Sequence, residues 1–124
     1  MKLLLDTHVV LWWLTGSEEL PESVKHTIDT DPHVYLSSAV LWEVAIKQAT
    51  GKLEGPSDLC EQIAASGLTE LPVRFAHAIE AGRLPEIHRD PFDRMLVAQA
   101  QCENLTLVTR DKKIPGYDVV VMSV

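Results

Sequence analysis

Lys2-Leu3-Leu4-Leu5-Asp6-Thr7 and the residues after it, KLLLDTHVVLWWL to Leu14, decide the fold. Lys2 to Leu5 is a short apolar run that ends at Asp6-Thr7, and it reads as a buried strand running into a helix through Trp12 to Leu14. Gly16 and Ser17 end that helix. The same alternation continues outward. Glu22 to Thr30 has helical composition behind Pro21, a position where a helix start tolerates proline, and Asp31-Pro32 breaks it. Val34 to Leu36 is a second strand. Ser37-Ser38 offers an N-cap for a helix from Ala39 to about Thr50, stopped by Gly51.

Further along, Pro56-Ser57-Asp58 opens a helix over Leu59 to Ser66, ended by Gly67. Leu68 to Val73 is a weaker strand, and Arg74 to Ala81 a helix that stops at Gly82. Leu84 to Arg89 reads as loop. Asp90-Pro91 starts a helix to about Glu103, ended by Asn104. Leu105 to Thr109 is a strand, Asp111 to Gly116 a loop, and Val119 to Met122 a last strand. Strands separated by helices, without repeat or linker, predict one α/β domain over residues 1–124, a three-layer α/β/α sandwich about a parallel sheet.

The 124 residues are 46% hydrophobic, enough for a real core. Cys60 and Cys102 form no CxxC pair, so zinc or thioredoxin-like chemistry is not expected; they read as two buried thiols in a reducing compartment. The first residues lack a signal-peptide pattern, since Asp6 and His8 interrupt the apolar run and no small-residue cleavage site follows. No apolar stretch has the ~20 residues of a membrane helix. A cytoplasmic protein is expected. The net charge of −7, from 11 basic and 18 acidic residues, does not suit nucleic-acid phosphates unless several acids serve as metal ligands.

Three of the four strong strands run into polar residues: Asp6-Thr7, Ser37-Ser38 and Thr109-Arg110-Asp111. In an open parallel sheet that edge is where ligands bind. Each acid there also has a plain structural reading. Asp6 can cap the following helix, and Asp111 can be a turn residue. Asp90 and Asp93 have the spacing of a capping box, yet Asp93 heads the apolar stripe of Leu96, Val97 and Ala100. Glu43 is flanked by Ala39, Val40 and Ile46, with Lys47 as an i+4 partner. Two like charges about 4 Å apart cost roughly 4 kcal/mol at an effective dielectric near 20. Converging carboxylates therefore call for protons or cations, and hard oxygen donors favour Mg2+ or Mn2+ over zinc.

Four pieces taken in order, LLLDTHVVLWWL at Leu3 to Leu14, SSAVLWEVAIKQATGKL at Ser37 to Leu53, HRDPFDRMLVAQA at His88 to Ala100 and LVTRD at Leu107 to Asp111, resemble the PIN-domain family, specifically its VapC-type toxins. The resemblance implies an endoribonuclease that uses metal-activated water and leaves a 5′-phosphate and a 3′-hydroxyl. It places the family's acidic quartet on Asp6, Glu43, Asp93 and Asp111, with Mg2+ or Mn2+ as cofactor. Thr7 and Thr109 match hydroxyl positions beside the site. Asp90 is an extra acid, read as a helix cap before a ligand. Lys112 and Lys113 stand where some members carry a further acid, which leaves one or two metals open. His8 stands where many members have a small residue and receives no role.

With four site acids set aside, 14 acidic residues face 11 basic ones. Arg89, Arg94, Arg110 and Lys112 border the expected site and are candidates for RNA phosphate contact, or else ordinary surface charge. An antitoxin protein and a homodimer are the implied partners. Trp12, Trp13 and Trp42 are core packing or an anchor for such a partner; adjacent Trp12 and Trp13 diverge by about 100° on a helix, so they do not share one core face. A phospho-receiver domain would need paired acids after its first strand, and here Asp6 stands alone. An RNA-processing nuclease without an antitoxin, or a silent binding domain, is the alternative. Silent members usually lose acids, and none is lost here.

Overall fold

The computed structural model describes residues 1–124. In chain order it contains β1 (Leu3–Leu5), α1 (Thr7–Thr15), α2 (Glu22–Thr30), β2 (Val34–Ser37), α3 (Ser38–Ala49), α4 (Leu59–Ala64), β3 (Thr69–Leu71), α5 (Phe75–Arg83), α6 (Pro91–Glu103), β4 (Thr106–Thr109), a 3-10 turn at Ile114–Gly116, and β5 (Val121–Ser123). All neighbouring strands are parallel, in the order β3-β2-β1-β4-β5. Leu3, Leu4 and Leu5 of the central strand are fully buried, as expected where helices cover both sheet faces. This is the expected three-layer α/β/α arrangement.

That strand order positions the site. The chain winds from β1 towards β2 and β3 on one side and towards β4 and β5 on the other, so the winding reverses between β1 and β4. A crevice opens at the carboxyl end of such a pair. The register Leu5↔Val108 brings Asp6 level with Thr109, and the Asp6 amide donates to the Val108 carbonyl. Beneath the crevice lies a continuous apolar core in which Val9, Val10, Val44, Leu96, Val97, Leu107 and Val108 are essentially inaccessible.

Local chemistry sets the element ends, with some departures from expectation. Gly16 closes α1 in the left-handed conformation, and Asn104 closes α6 the same way. Ser37, rather than Ser38, caps α3, its hydroxyl accepting from the Ala39 amide; the Ser38 hydroxyl accepts from the Val73 amide instead. The helix expected to stop at Gly82 runs on to Arg83. It ends where Leu84 turns extended ahead of Pro85, a residue that disfavours helical geometry before it. The last strand starts two residues later than expected, because the Val119 amide is held in a turn by the Tyr117 carbonyl. Cys60 is half-buried and Cys102, on the last turn of α6, is exposed; both are free thiols, which corrects the expectation of two buried ones.

Candidate metal centre

Asp6, Glu43, Asp93 and Asp111 come from the end of β1, the middle of α3, the first turn of α6 and the loop after β4, and all four line one cavity of about 340 Å3. Thr7, His8, Trp12, Lys47, Asp90 and Arg110 complete its wall. Trp12 is its one hydrophobic residue.

Asp6, Glu43, Asp111 and Asp90 are each held by bonds within the protein and also line the cavity. Asp6 caps α1, with Oδ1 accepting from the Val9 amide at 2.9 Å, while Oδ2 accepts from the Thr109 hydroxyl. Glu43 is buried; one oxygen accepts from the Thr7 hydroxyl and the other pairs with Lys47 Nζ at 2.8 Å. Asp111 Oδ1 accepts from the Lys113 and Ile114 amides, and its Oδ2 lies 2.9 Å from His88 Nε2. Asp90 is the cap of α6, with Oδ1 accepting from the Phe92 and Asp93 amides.

The capping box at the start of α6 is only half made. The Asp93 carboxylate does not return to the Asp90 amide, because that amide donates to His88 Nδ1 at 3.2 Å. Asp93 Oδ2 instead lies 3.1 Å from His88 Nε2. This releases the carboxylate to the head of the stripe formed by buried Leu96, Val97 and Ala100.

The electrostatics follow. Burial, then the charge of Asp90, pushes the Asp93 carboxyl up to about 7, with Asp111 and Glu43 adding to it and His88 opposing. Burial also raises Asp6, against the Thr109 and Val9 hydrogen bonds. Burial would raise Asp111 too, but the His88 hydrogen bond and the Lys113 and Ile114 amides outweigh it and leave that acid below its usual value. Lys47 is raised, chiefly by its hydrogen bond to Glu43.

A carboxylate left protonated near neutrality among three other acids is a site a divalent cation would relieve. The oxygen-rich donor set fits such an ion. One oxygen each of Asp93 and Asp111 lies with His88 Nε2 inside a group whose members are all within 4.8 Å of one another. Asp6 and Glu43 line the same cavity outside that tight group.

A PIN-domain family model matches residues 3–120 of the chain. The chain belongs to the PIN-domain family. This PIN domain is 25% identical over 122 residues to ribonuclease VapC22 of Mycobacterium tuberculosis, covering 93% of this chain and 91% of that protein. Its fold is similar to VapBC2 from Rickettsia felis bound to a promoter DNA fragment, with a TM-score of 0.75 at 16% identity over 100% of this chain and 99% of the other. DNA-bound VapBC from Salmonella typhimurium gives 0.72 at 19% identity, over 99% and 98%. A toxin–antitoxin complex from Klebsiella pneumoniae gives 0.68 at 22%, over 98% and 97%.

The basic residues of this PIN domain divide sharply. Arg89 and Lys112 are exposed and make no side-chain bond within the protein. Arg110 is at the cavity rim but engaged: it pairs with Glu19 at 2.6 Å, donates to the Val124 carbonyl and lies over the Trp12 ring. Arg94, expected beside RNA, is turned inward. Its guanidinium donates to the carbonyls of Ala81, Leu84, Pro85 and His88, so it secures the end of α5 and the loop after it. Trp13 reaches Asp29 on α2, and Trp42 is 65% exposed with its edge against Phe92.

Lys47, in the cavity wall, and His88, against Asp93 and Asp111, stand outside the expected acidic and basic sets. Lys47 was visible as the i+4 partner of Glu43. His88 opens the HRDPFD segment, and only the loop's path brings it between Asp93 and Asp111.

Proposed function

We propose that this PIN domain is an endoribonuclease acting as the toxin of a toxin–antitoxin pair, with a divalent cation held by Asp6, Glu43, Asp93 and Asp111. Four carboxylates from four separate elements, converging where the sheet winding reverses, carry this reading. The relative named as a ribonuclease and the similar folds from toxin–antitoxin complexes support it. Residues 1–124 act as one nuclease domain. No helix is long and apolar enough to cross a membrane, and a cytoplasmic location belongs to the same proposal.

Mg2+ or Mn2+ is the ion that hard carboxylate oxygens favour. When bound, it lowers the pKa of a water and offsets charge building on the phosphate. The chain's own groups prepare that step. Thr109 and the Val9 amide fix the Asp6 carboxylate, and Thr7 and Lys47 fix Glu43. Asp93, raised by burial and its acidic neighbours, would release its proton to solvent when a cation is held there. Exposed Arg89 and Lys112 meet RNA phosphates outside the cavity. An apolar recess beside the site, lined by Trp42, Ile46, Val73, Phe92 and Met95, supports a protein partner, antitoxin or second protomer.

Purified protein, free of any partner, incubated with total RNA tests this. Discrete fragments in Mg2+ or Mn2+ that vanish in EDTA and with Asp93→Asn are expected. Fragments of equal yield from Asp93→Asn would remove Asp93 from the site.

A further inference from the structure

His88 Nε2 lies 2.9 Å from Asp111 Oδ2 and 3.1 Å from Asp93 Oδ2. Distance alone would admit it as a third metal ligand. The other ring nitrogen decides between ligand and donor. His88 Nδ1 faces the Asp90 backbone N–H at 3.2 Å, and an amide N–H only donates. Nδ1 is therefore the acceptor and carries no proton. In neutral imidazole the single proton then sits on Nε2, which leaves that nitrogen no lone pair to offer a metal.

We propose that His88 is a positioning residue, an Nε2–H donor that ties Asp93 to Asp111 and sets which carboxylate oxygens face the cation; it is not itself a ligand. The proposal rests on the metal-nuclease reading above. The loop is built to hold the ring in place. The His88 amide donates to the hydroxyl of buried Tyr117 at 2.7 Å, and Arg94 takes the His88 carbonyl together with three carbonyls before it. Neither anchor belongs to the loop itself. With Asp111 Oδ1 fixed by its own turn and Oδ2 by His88, that carboxylate has one orientation. Asp93 is gripped only through Oδ2, and its Oδ1 makes no hydrogen bond within the protein.

Two measurements test this. First, long-range 1H–15N correlation of imidazole-labelled protein at neutral pH, assigned with His88→Gln, reads the tautomer with and without saturating Mg2+. An Nε2–H tautomer in both states is expected. An Nδ1–H tautomer once Mg2+ is added, or a directly bonded nitrogen coupling in pulsed EPR of the Mn2+ form, would make His88 a ligand and overturn the proposal. Second, calorimetry compares Mg2+ binding in His88→Gln, whose amide can still donate, and His88→Leu, which cannot. The Gln variant should stay within about threefold of wild type and the Leu variant should bind about 10–100-fold more weakly. Wild-type affinity in the Leu variant overturns the positioning role alone. A wild-type protein that binds neither Mg2+ nor Mn2+ overturns the metal-nuclease reading, and this proposal with it.

Discussion

The Thr109 hydroxyl donates to Asp6 Oδ2 across 103 residues of sequence, joining the ends of the two central strands at the point where the winding reverses. The same hydroxyl accepts from the Asp111 amide at 3.0 Å. One fully buried side chain thus orients two of the four acids. Thr109→Val keeps the volume and removes both bonds. Leaving a buried carboxylate short of a donor should cost about 1–3 kcal/mol of stability, read by urea denaturation. The Asp6 carboxyl, already raised by burial, should rise further, so Mg2+ affinity should fall as well. Thr109→Ser should restore both. A Thr109→Val protein as stable as wild type would show that the hydroxyl contributes nothing.

Asp93 gives the metal-free protein a definite pH dependence. Its folded value, about 7, lies above the ordinary 3.8. The folded state therefore holds more protons than the unfolded state between those values, and stability falls as pH rises through that window. The contribution is fully present below about pH 4 and lost by about pH 7. Asp6, also raised, adds the same sign. Asp111 is lowered, and its contribution changes only below about pH 4. Urea titrations of EDTA-treated protein from pH 4 to 8 should show a decline of about 2–4 kcal/mol, most of it absent in Asp93→Asn. A flat profile would show that Asp93 titrates normally.

The same proton couples to the cation. Binding must displace it, so apparent Mg2+ affinity should rise about tenfold per pH unit up to about pH 7 and level off above. Calorimetry at pH 6 in two buffers of different ionisation enthalpy would count the protons released. About one per ion is expected at pH 6 and fewer at pH 8, and no release at pH 6 would place the cation away from Asp93.

The sheet and most helices were legible because their signals are local: apolar runs for strands, Asp90-Pro91 and Asn104 for the ends of α6. The acids stand out for local reasons too: Asp6 and Asp111 follow strands, Asp93 heads a helix, and Glu43 interrupts an apolar helix face with Lys47 at i+4. What escaped is long-range. Gly82 resembles a helix stop, but it lies in open space within α5, and the actual stop depends on Pro85 and on Arg94 from the next helix. Arg94 resembles a phosphate contact from its place in HRDPFDR, yet four carbonyls it cannot see in sequence claim it. His88 escaped because nothing local distinguishes a loop histidine from one held between two carboxylates by Tyr117, 29 residues away.

Arg94 and the exposed bases therefore separate by experiment. Arg94→Ala leaves the Ala81 and Leu84 carbonyls without this donor, leaves those of Pro85 and His88 with only the Ile87 amide and the Tyr117 hydroxyl, and frees the loop that carries His88. It should destabilise the protein by about 2–3 kcal/mol and weaken Mg2+ binding. Arg94→Lys should not rescue it, because an ammonium cannot span four carbonyls as a planar guanidinium does. Arg89→Ala and Lys112→Ala should leave stability within about 0.5 kcal/mol. They should weaken RNA binding and flatten its salt dependence by about 0.7 per lost contact to a single strand, measured by titrating catalytically dead Asp93→Asn protein with RNA at several salt concentrations. If Arg94→Ala instead keeps full stability and changes only the salt slope, the residue is a phosphate contact after all, and the inward hydrogen bonds are incidental.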